Sequence, residues 1–463
     1  MPCGRPVAEA ARVVRGAFAI LLLASCVPAA RSPAPAPARD DSAAAARAAE
    51  AARAAARRAA DSAAFAAAVP SIELPFDDRS PIVRIALATA EREPEVSGTG
   101  AWHLLDGDSE DVIVNGRAGE PVRLVRSSLR LRVARNGDGA GAASSAIVIA
   151  RPAEPFAFLV FKGKRYRGEL AFVPSDSGVL VVNHLPLEQY LRGVVPLEIG
   201  DRTFDEREAV AAQAVAARSY AYIRVASSAE RPYDMVATVF DQVYGGADAE
   251  KPVADAAILE TWGLVLWYAG RIVNTPYSST CGGTTAEAPE VWRSSGEPYL
   301  QRVSDRVPGT DRFYCDISPR FRWTRSYSGS QLSTVLQRYL RSYAAVPAGR
   351  LGAIRNVETQ GRTESGRTQA LVITTERGRY RVLKNDARFV LRSSAGEILN
   401  STYYSVRTTI SGGVVTRLDI TGSGYGHGVG MCQWGAIGRA RAGQDFRTIL
   451  GTYYPGTIVA PAE

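Results

Sequence analysis

Residues 422 to 436 read Gly-Ser-Gly-Tyr-Gly-His-Gly-Val-Gly-Met-Cys-Gln-Trp-Gly-Ala. Glycine at every second position removes the side chains that would pack a strand, and glycine loses more backbone freedom on folding than any other residue. Such a run persists where the backbone must approach another segment closely or adopt dihedrals denied to other residues. The fold must therefore bring something against this stretch, which displays one histidine, His427, and one tryptophan, Trp434. The run is not a nucleotide loop. No G-x-G-x-x-G can be drawn through residues 422–430, and the Lys-Ser/Thr of a phosphate loop is missing.

Two further blocks accompany it: NHLPLEQYLRGVVPLEIG at 183–200 and YSSTCGGTTAEAPEVW at 277–292. After the glycine run come Tyr453, Tyr454, Pro455, Gly456 and Thr457. In this order the chain resembles the SpoIID/LytB family of peptidoglycan-active proteins, in which a GHGxGMxQxGA run precedes YYPGT. The resemblance covers roughly residues 165 to 460. It implies an α+β fold in which mixed β-sheets and a few helices form a glycan-binding cleft. It also implies an exported protein working on peptidoglycan, either as a lytic transglycosylase or as a non-catalytic binding protein that stimulates a cell-wall amidase.

Glu198 is the candidate acid. In Val194-Val195-Pro196-Leu197-Glu198-Ile199-Gly200 it has apolar flanks and no cation within four positions until Arg202. Desolvation there raises a carboxyl pKa and keeps a proton available for a leaving oxygen. Read alone, a surface glutamate flanking a helix fits as well. The resemblance places it at the position of the family's catalytic glutamate. Glu188, by contrast, has Arg192 four residues later, the favourable order for a helical surface pair, and reads as structural. Hydrolysing glycosidases usually need two carboxylates, and the matched blocks hold no comparable partner; Asp241 and Asp305 are weak candidates. One acid suffices when the substrate's own C6 hydroxyl is the nucleophile, as in lytic transglycosylases.

The substrate-binding candidates come in four groups. EREAVAAQAVAARSYA, which carries Gln213 and Arg218, is similar to the family's EALKAQAVAARTYA helix, and the plain alternative is a solvated helix face. Gln242 and Tyr244, before Gly245 and Gly246, offer an amide and an aromatic face to a sugar. Ser279, Thr280, Gly282 and Gly283 offer hydroxyls and close approach, although a tight turn explains each glycine pair equally well. His427 and Trp434 would line the far wall of the cleft, although a lone histidine is more often structural, and Gln433 between them in the run is a further binding candidate.

Cysteine usage fits export. Beyond Cys3 and Cys26 the thiols are Cys281, Cys315 and Cys432. Joining Cys281 to Cys315 would contribute roughly 3 to 4 kcal/mol by loop closure in an oxidising compartment. Zinc held by the thiols and His427 is the competing arrangement, since some relatives carry a His/Cys metal site near the CGG block. The flanks of Cys281 contain no histidine, so the expectation is a disulfide and no cofactor. With only His103, His184 and His427 in the chain, a three-histidine metal site would need unrelated segments.

Residues 1–25 read as a signal: Arg5, Arg12 and Arg15 precede the apolar stretch from Ala17 to Ala24. Leu23-Ala24-Ser25-Cys26 resembles a lipobox, which would make Cys26 a lipid anchor on the periplasmic side of a bacterial membrane; an ordinary secretory signal with a chance cysteine is the alternative. Residues 26–70, Pro/Ala-rich and then Ala/Arg-rich, read as a tether. Residues 71–175 alternate like strands between Gly, Asp and Asn turns and form a β-rich portion, and 176–460 form the catalytic domain. The net charge is +8, almost all of it from arginine. The arginines are scattered rather than striped, which argues against nucleic acid and suits an anionic envelope.

Overall fold

The computed structural model describes residues 80–134 and 144–462. The expected leader, the Cys26 anchor and the 26–70 tether lie outside them. The fold is α+β, with mixed sheets and a β-rich N-terminal part.

Two sheets carry the N-terminal part. In the seven-stranded one, Ile82–Glu91 pairs antiparallel with Gly178–Pro186, which pairs in turn with Glu169–Ser175. Val148–Pro152, Trp102–Asp106 and Val112–Gly116 extend it on that side, and Met235–Val236 joins Ile82–Glu91 in parallel on the other. The six-stranded sheet is built on Glu95–Gly98 and Val122–Ser127. Alternate residues of both sheets, such as Val83, Ile85, Leu104, Leu124 and Phe172, are fully buried in one core, which drives the pairing at about 25 cal/mol per Å² of apolar surface. The hairpin joining 169–175 to 178–186 crosses the position where the sequence places the start of the catalytic portion.

Helices close over this core. Helix α1, Leu187–Ile199, continues directly from the strand ending at Pro186. Helix α2, Arg207–Ser227, is the alanine-rich segment, and Ala209, Ala211, Ala212, Ala214, Ala216, Ala217 and Ala221 are all buried. Alanine is the best helix former, and its small side chain lets α1 and helix α3, Pro252–Glu260, pack close to α2. Thr203 and Glu206 stand three residues apart, the spacing of a capping box, and they form one just before α2, where the Glu206 carboxylate accepts the Thr203 N–H at 3.4 Å.

Among the described residues, those of a second core all lie between Trp323 and Ile420. It packs the sheet of Arg322–Ser328, Val414–Ser423 and Tyr404–Ser411 with that of Ile354–Arg362, Thr368–Thr375 and Gly378–Leu383. Helix α4, Gly329–Tyr339, belongs to it. The sequence suggests a helix from Gln331 to Ala345. It starts two residues earlier because Ser328 and Gln331 cap it reciprocally, at 2.9 and 3.2 Å. It ends earlier because the chain tightens at Leu340–Ser342 and then runs toward Pro347, which disfavours helix before it.

After residue 423 the chain returns to the first core through the glycine run, helix α5 (Gln433–Arg441) and helix α6 (Phe446–Tyr453). It finishes with Ile458–Pro461, paired to Leu264–Tyr268. Among the described residues no helix is long and apolar enough to cross a membrane.

Candidate functional site

Glu198 lies in the last turn of α1, which Gly200 ends with a φ of 85°. That turn holds no basic residue. Burial pushes the Glu198 carboxyl up from 4.5 to about 7, opposed only in part by the Val243 N–H, which donates to Oε1 at 2.7 Å. The negative end of the helix dipole works in the same direction as burial. No second carboxylate is among the causes of the shift. An N–H donor aimed at Oε1 favours placing the proton of the neutral acid on Oε2.

Around this carboxyl the glycine run meets the CGG block. Met431–Cys432 pairs in parallel with Tyr277–Ser278, and Thr280 and Tyr425 exchange backbone hydrogen bonds at 2.8 and 3.0 Å. The close approach predicted for the glycines is visible at two of them. A Cβ at Gly430 would fall 2.0 Å from the Pro276 carbonyl oxygen, and one at Gly428 would fall 2.0 Å from Nη2 of the fully buried Arg367. With φ near 80° at residue 428 as well, Gly428→Ala should destabilise the protein by about 3 kcal/mol, combining overpacking with left-handed strain. Denaturant titration of the variant checks this; a change below about 0.5 kcal/mol would contradict it.

The run leads into α5, whose first residue, Gln433, donates through Nε2 to the backbone carbonyl of Glu198 at 3.0 Å and to Oε1 of Gln213 at 3.1 Å. Gln213 is fully buried and connects α2 to this contact. Both glutamines therefore position the acid rather than face a substrate. Gln242 is buried too. Its Oε1 accepts the Tyr190 hydroxyl and its Nε2 donates to the Tyr277 hydroxyl, both at 3.0 Å, so its amide is already used. Tyr244 packs against Gly193 and donates to Asn183 Oδ1 at 2.8 Å inside the core. Neither presents itself to a sugar in this conformation.

Arg218 also differs from the expectation. It is fully buried, forming a two-pronged pair with Glu188 at 2.7 Å on each arm, and it donates to the Leu264 carbonyl at 3.0 Å. Glu188 is thus not a surface partner of Arg192; that arginine binds Asp255 at 2.8 and 2.9 Å. The local i,i+4 spacing misled because α2 and α3 cross α1 and supply better-placed partners.

In the CGG block Thr280 is buried and bonded to Ser318, and Gly282 and Gly283 are buried with positive φ, which favours the close-packing reading of the pair. Ser279 is half-buried, and its carbonyl accepts the Trp434 N–H at 3.0 Å. His427 and Trp434 are half-buried. The His427 ring packs on Trp292 at 5.0 Å, its Nδ1 accepts the Val429 N–H at 3.1 Å, and burial with Arg388 and Arg367 nearby depresses its pKa to about 3, so it is neutral. The Arg202 guanidinium lies over the Trp434 ring at 5.3 Å.

Sequence reasoning passed over Tyr277, whose hydroxyl pKa is raised by burial and then by Glu198, although it opens the quoted YSST block. Val239 and Phe240, on the loop leading to Val243, are 82% and 83% exposed, which their apolar character alone does not announce.

The weak carboxylate candidates are occupied elsewhere. Asp241 binds Tyr220, Arg224 and the Val236 N–H. Asp305 is buried beside the thiols, where burial raises its carboxyl to about 7. Cys281, Cys315 and Cys432 are free and buried, and the Cys281 and Cys315 sulfurs stand 3.6 Å apart, so the expected disulfide is not formed in this structure. His427 is not grouped with the thiols; the fourth member of that cluster is Asp305.

Comparison with known proteins accords with this geometry. A family model described as stage II sporulation protein matches residues 175–268, which include Glu198, Gln213 and Arg218. A second, described as a domain of unknown function, matches 310–430, the stretch that contains the second core. The chain is 31% identical over 379 residues to an uncharacterised protein of Brachyspira hyodysenteriae, covering 82% of this chain and 92% of that one. It is 30% identical over 306 residues to the amidase enhancer of Bacillus subtilis, covering 58% of this chain but only 40% of the relative. To the stage II sporulation protein D of Bacillus subtilis it is 30% identical over 298 residues, covering 61% of this chain and 76% of the relative. With three motif blocks, a matching family model and most of that relative's length in common, the chain belongs to the stage II sporulation protein D family.

Proposed function

We propose that the protein is an exported lytic transglycosylase that cleaves peptidoglycan glycan strands, with Glu198 as its single acid and base. The observation that carries this reading is a buried carboxyl in the last turn of α1, held at Oε1 by the Val243 N–H, whose pKa burial raises to about 7 with no second carboxylate acting on it. The neutral acid gives its Oε2 proton to the glycosidic oxygen as the bond to the anomeric carbon breaks. The C6 hydroxyl of the same muramic residue attacks that carbon and returns its proton to Glu198. The acid is restored, no water is consumed, and the product end is a 1,6-anhydro sugar. The Val243 N–H stabilises the carboxylate between these steps, while Gln433 and Gln213 hold the end of α1 in place. Trp434, His427 and Ser279, all half-buried, and the half-buried ring of Tyr277 are the candidate faces for the glycan, and strands already stripped of stem peptides are the proposed substrate.

A second reading follows from the relative named amidase enhancer: a non-catalytic peptidoglycan-binding protein that stimulates an amidase. Incubating the purified protein with untreated and amidase-treated peptidoglycan separates the two. Fragment release from the treated strands by the protein alone supports the enzyme. Release only when an amidase is added supports the enhancer.

The proposed membrane attachment is a lipid on Cys26. Cys26→Ser should move the protein from the membrane to the soluble exported fraction, and unchanged fractionation would remove the anchor.

A further inference from the structure

Three thiols and a carboxylate from separate segments converge in one buried place. The sulfurs of Cys281, Cys315 and Cys432 and an oxygen of Asp305 all lie within 4.8 Å of one another. The 3.6 Å between Cys281 and Cys315 is well beyond a disulfide bond of about 2.05 Å. It is close to the roughly 3.8 Å that two sulfurs adopt on a tetrahedral ion with bonds of about 2.3 Å.

The surroundings are built for a metal rather than for three neutral thiols. Asp305 Oδ1 accepts from the Tyr453 hydroxyl at 2.7 Å and from Arg439 at 3.2 Å, while Oδ2 faces the Cys281 sulfur at 3.8 Å. One oxygen held by outer partners and the other turned to the sulfurs is the disposition of a monodentate metal-binding carboxylate. The Cys432 sulfur receives backbone N–H groups from Cys281 at 3.1 Å and Gly435 at 3.3 Å, at the N-terminus of α5, and both features favour an anionic sulfur. Gly435 must be glycine here, since a Cβ would fall 2.4 Å from Asp305 Oδ2.

Arg367 gives an independent observation. It is fully buried, spends Nη1 and Nη2 on the carbonyls of Thr284 and Cys281, and leaves its Nε without a partner. A buried cation beside neutral thiols is costly. A divalent ion with three thiolates and a carboxylate is net negative, and Arg367 and Arg439 would then be its counter-charges.

We propose that Cys281, Asp305, Cys315 and Cys432 form a closed, structural zinc site. Four protein ligands leave no open position for catalysis. Binding displaces the thiol protons to solvent and ties the CGG block and the 305–315 segment to the head of α5. Gln433, the next residue after Cys432, is thereby fixed against Glu198. The site does not depend on which reaction the protein performs.

The test uses the full chain, purified under reducing conditions in detergent, with metal content measured by mass spectrometry and cobalt as a spectroscopic substitute. The expected result is one zinc per chain and a thiolate-to-cobalt charge-transfer band. Tyr453→Phe should weaken zinc binding roughly 10- to 100-fold, as loss of an outer-shell partner does, and Asp305→Asn should weaken it further. Metal-free protein after reconstitution, no thiolate band, or unchanged affinity in Asp305→Asn would overturn the site. A Cys281–Cys315 disulfide in protein isolated without reductant would do the same. Should Asp305→Asn not fold, the wild-type cobalt spectrum decides alone.

Discussion

Replacing Glu198 by glutamine is expected to lower strand cleavage by at least roughly 100- to 10,000-fold, the range typical of a general acid–base group, while glycan binding persists. Glutamine keeps the shape of the side chain but has no proton to give. On the proposed mechanism the acid acts while protonated, so cleavage should fall as pH rises through about 7. The same titration lowers stability in the same direction. A carboxyl whose folded pKa is raised from 4.5 to about 7 contributes stability that is fully present below 4.5 and lost as pH rises through about 7. Glu198→Gln should escape that loss. Relative to wild type it should gain up to about 3 kcal/mol between pH 4.5 and pH 8. Parallel denaturant titrations at the two pH values measure this, and a constant difference would contradict a buried, proton-holding Glu198.

Glu188→Gln is expected to destabilise the protein by about 3 to 5 kcal/mol, the usual consequence of removing one member of a buried ion pair. Glu188 is 2% exposed and Arg218 fully buried, so the substitution strands a guanidinium in the interior. It also weakens the acceptor of the Gly263 N–H, which meets Glu188 Oε1 at 3.2 Å. The local spacing with Arg192 alone would forecast a loss of a few tenths of a kcal/mol. Chemical denaturation at pH 7 distinguishes the two, and a change below about 1 kcal/mol would refute the buried pair.

These two glutamates mark how far the sequence could be read. The apolar neighbours of Glu198 left a surface glutamate equally open, and it was the resemblance that singled it out; the structure buries it in the last turn of α1. Its N–H donor was not legible, since the Val243 amide is a backbone group and no side-chain pattern encodes it. The partner of Glu188 was misread because the rule for neighbours along one helix cannot see that α2 crosses it. Gln242 and Tyr244 were assigned to sugar because polar and aromatic groups near glycines suit ligands. The interior used them instead, since buried polar groups must find partners somewhere. The alanine-rich EREAVAAQAVAARSYA segment came through as the helix Arg207–Ser227, because propensity and packing agree there. The three thiols were visible as a group, but Asp305 was not, since it reaches them from irregular chain 24 residues beyond Cys281. The glycine run conveyed that close approach was needed and not what approached, which proved to be the Pro276 carbonyl and Arg367.

The most direct measurement is the mass of the ends released when wild-type protein digests amidase-treated glycan strands. With Glu198 as sole acid and base and the substrate's own hydroxyl as nucleophile, every new muramic end should be the 1,6-anhydro form, lighter than a reducing end by one water. Reducing ends, or no cleavage at all by the wild type, would contradict the account.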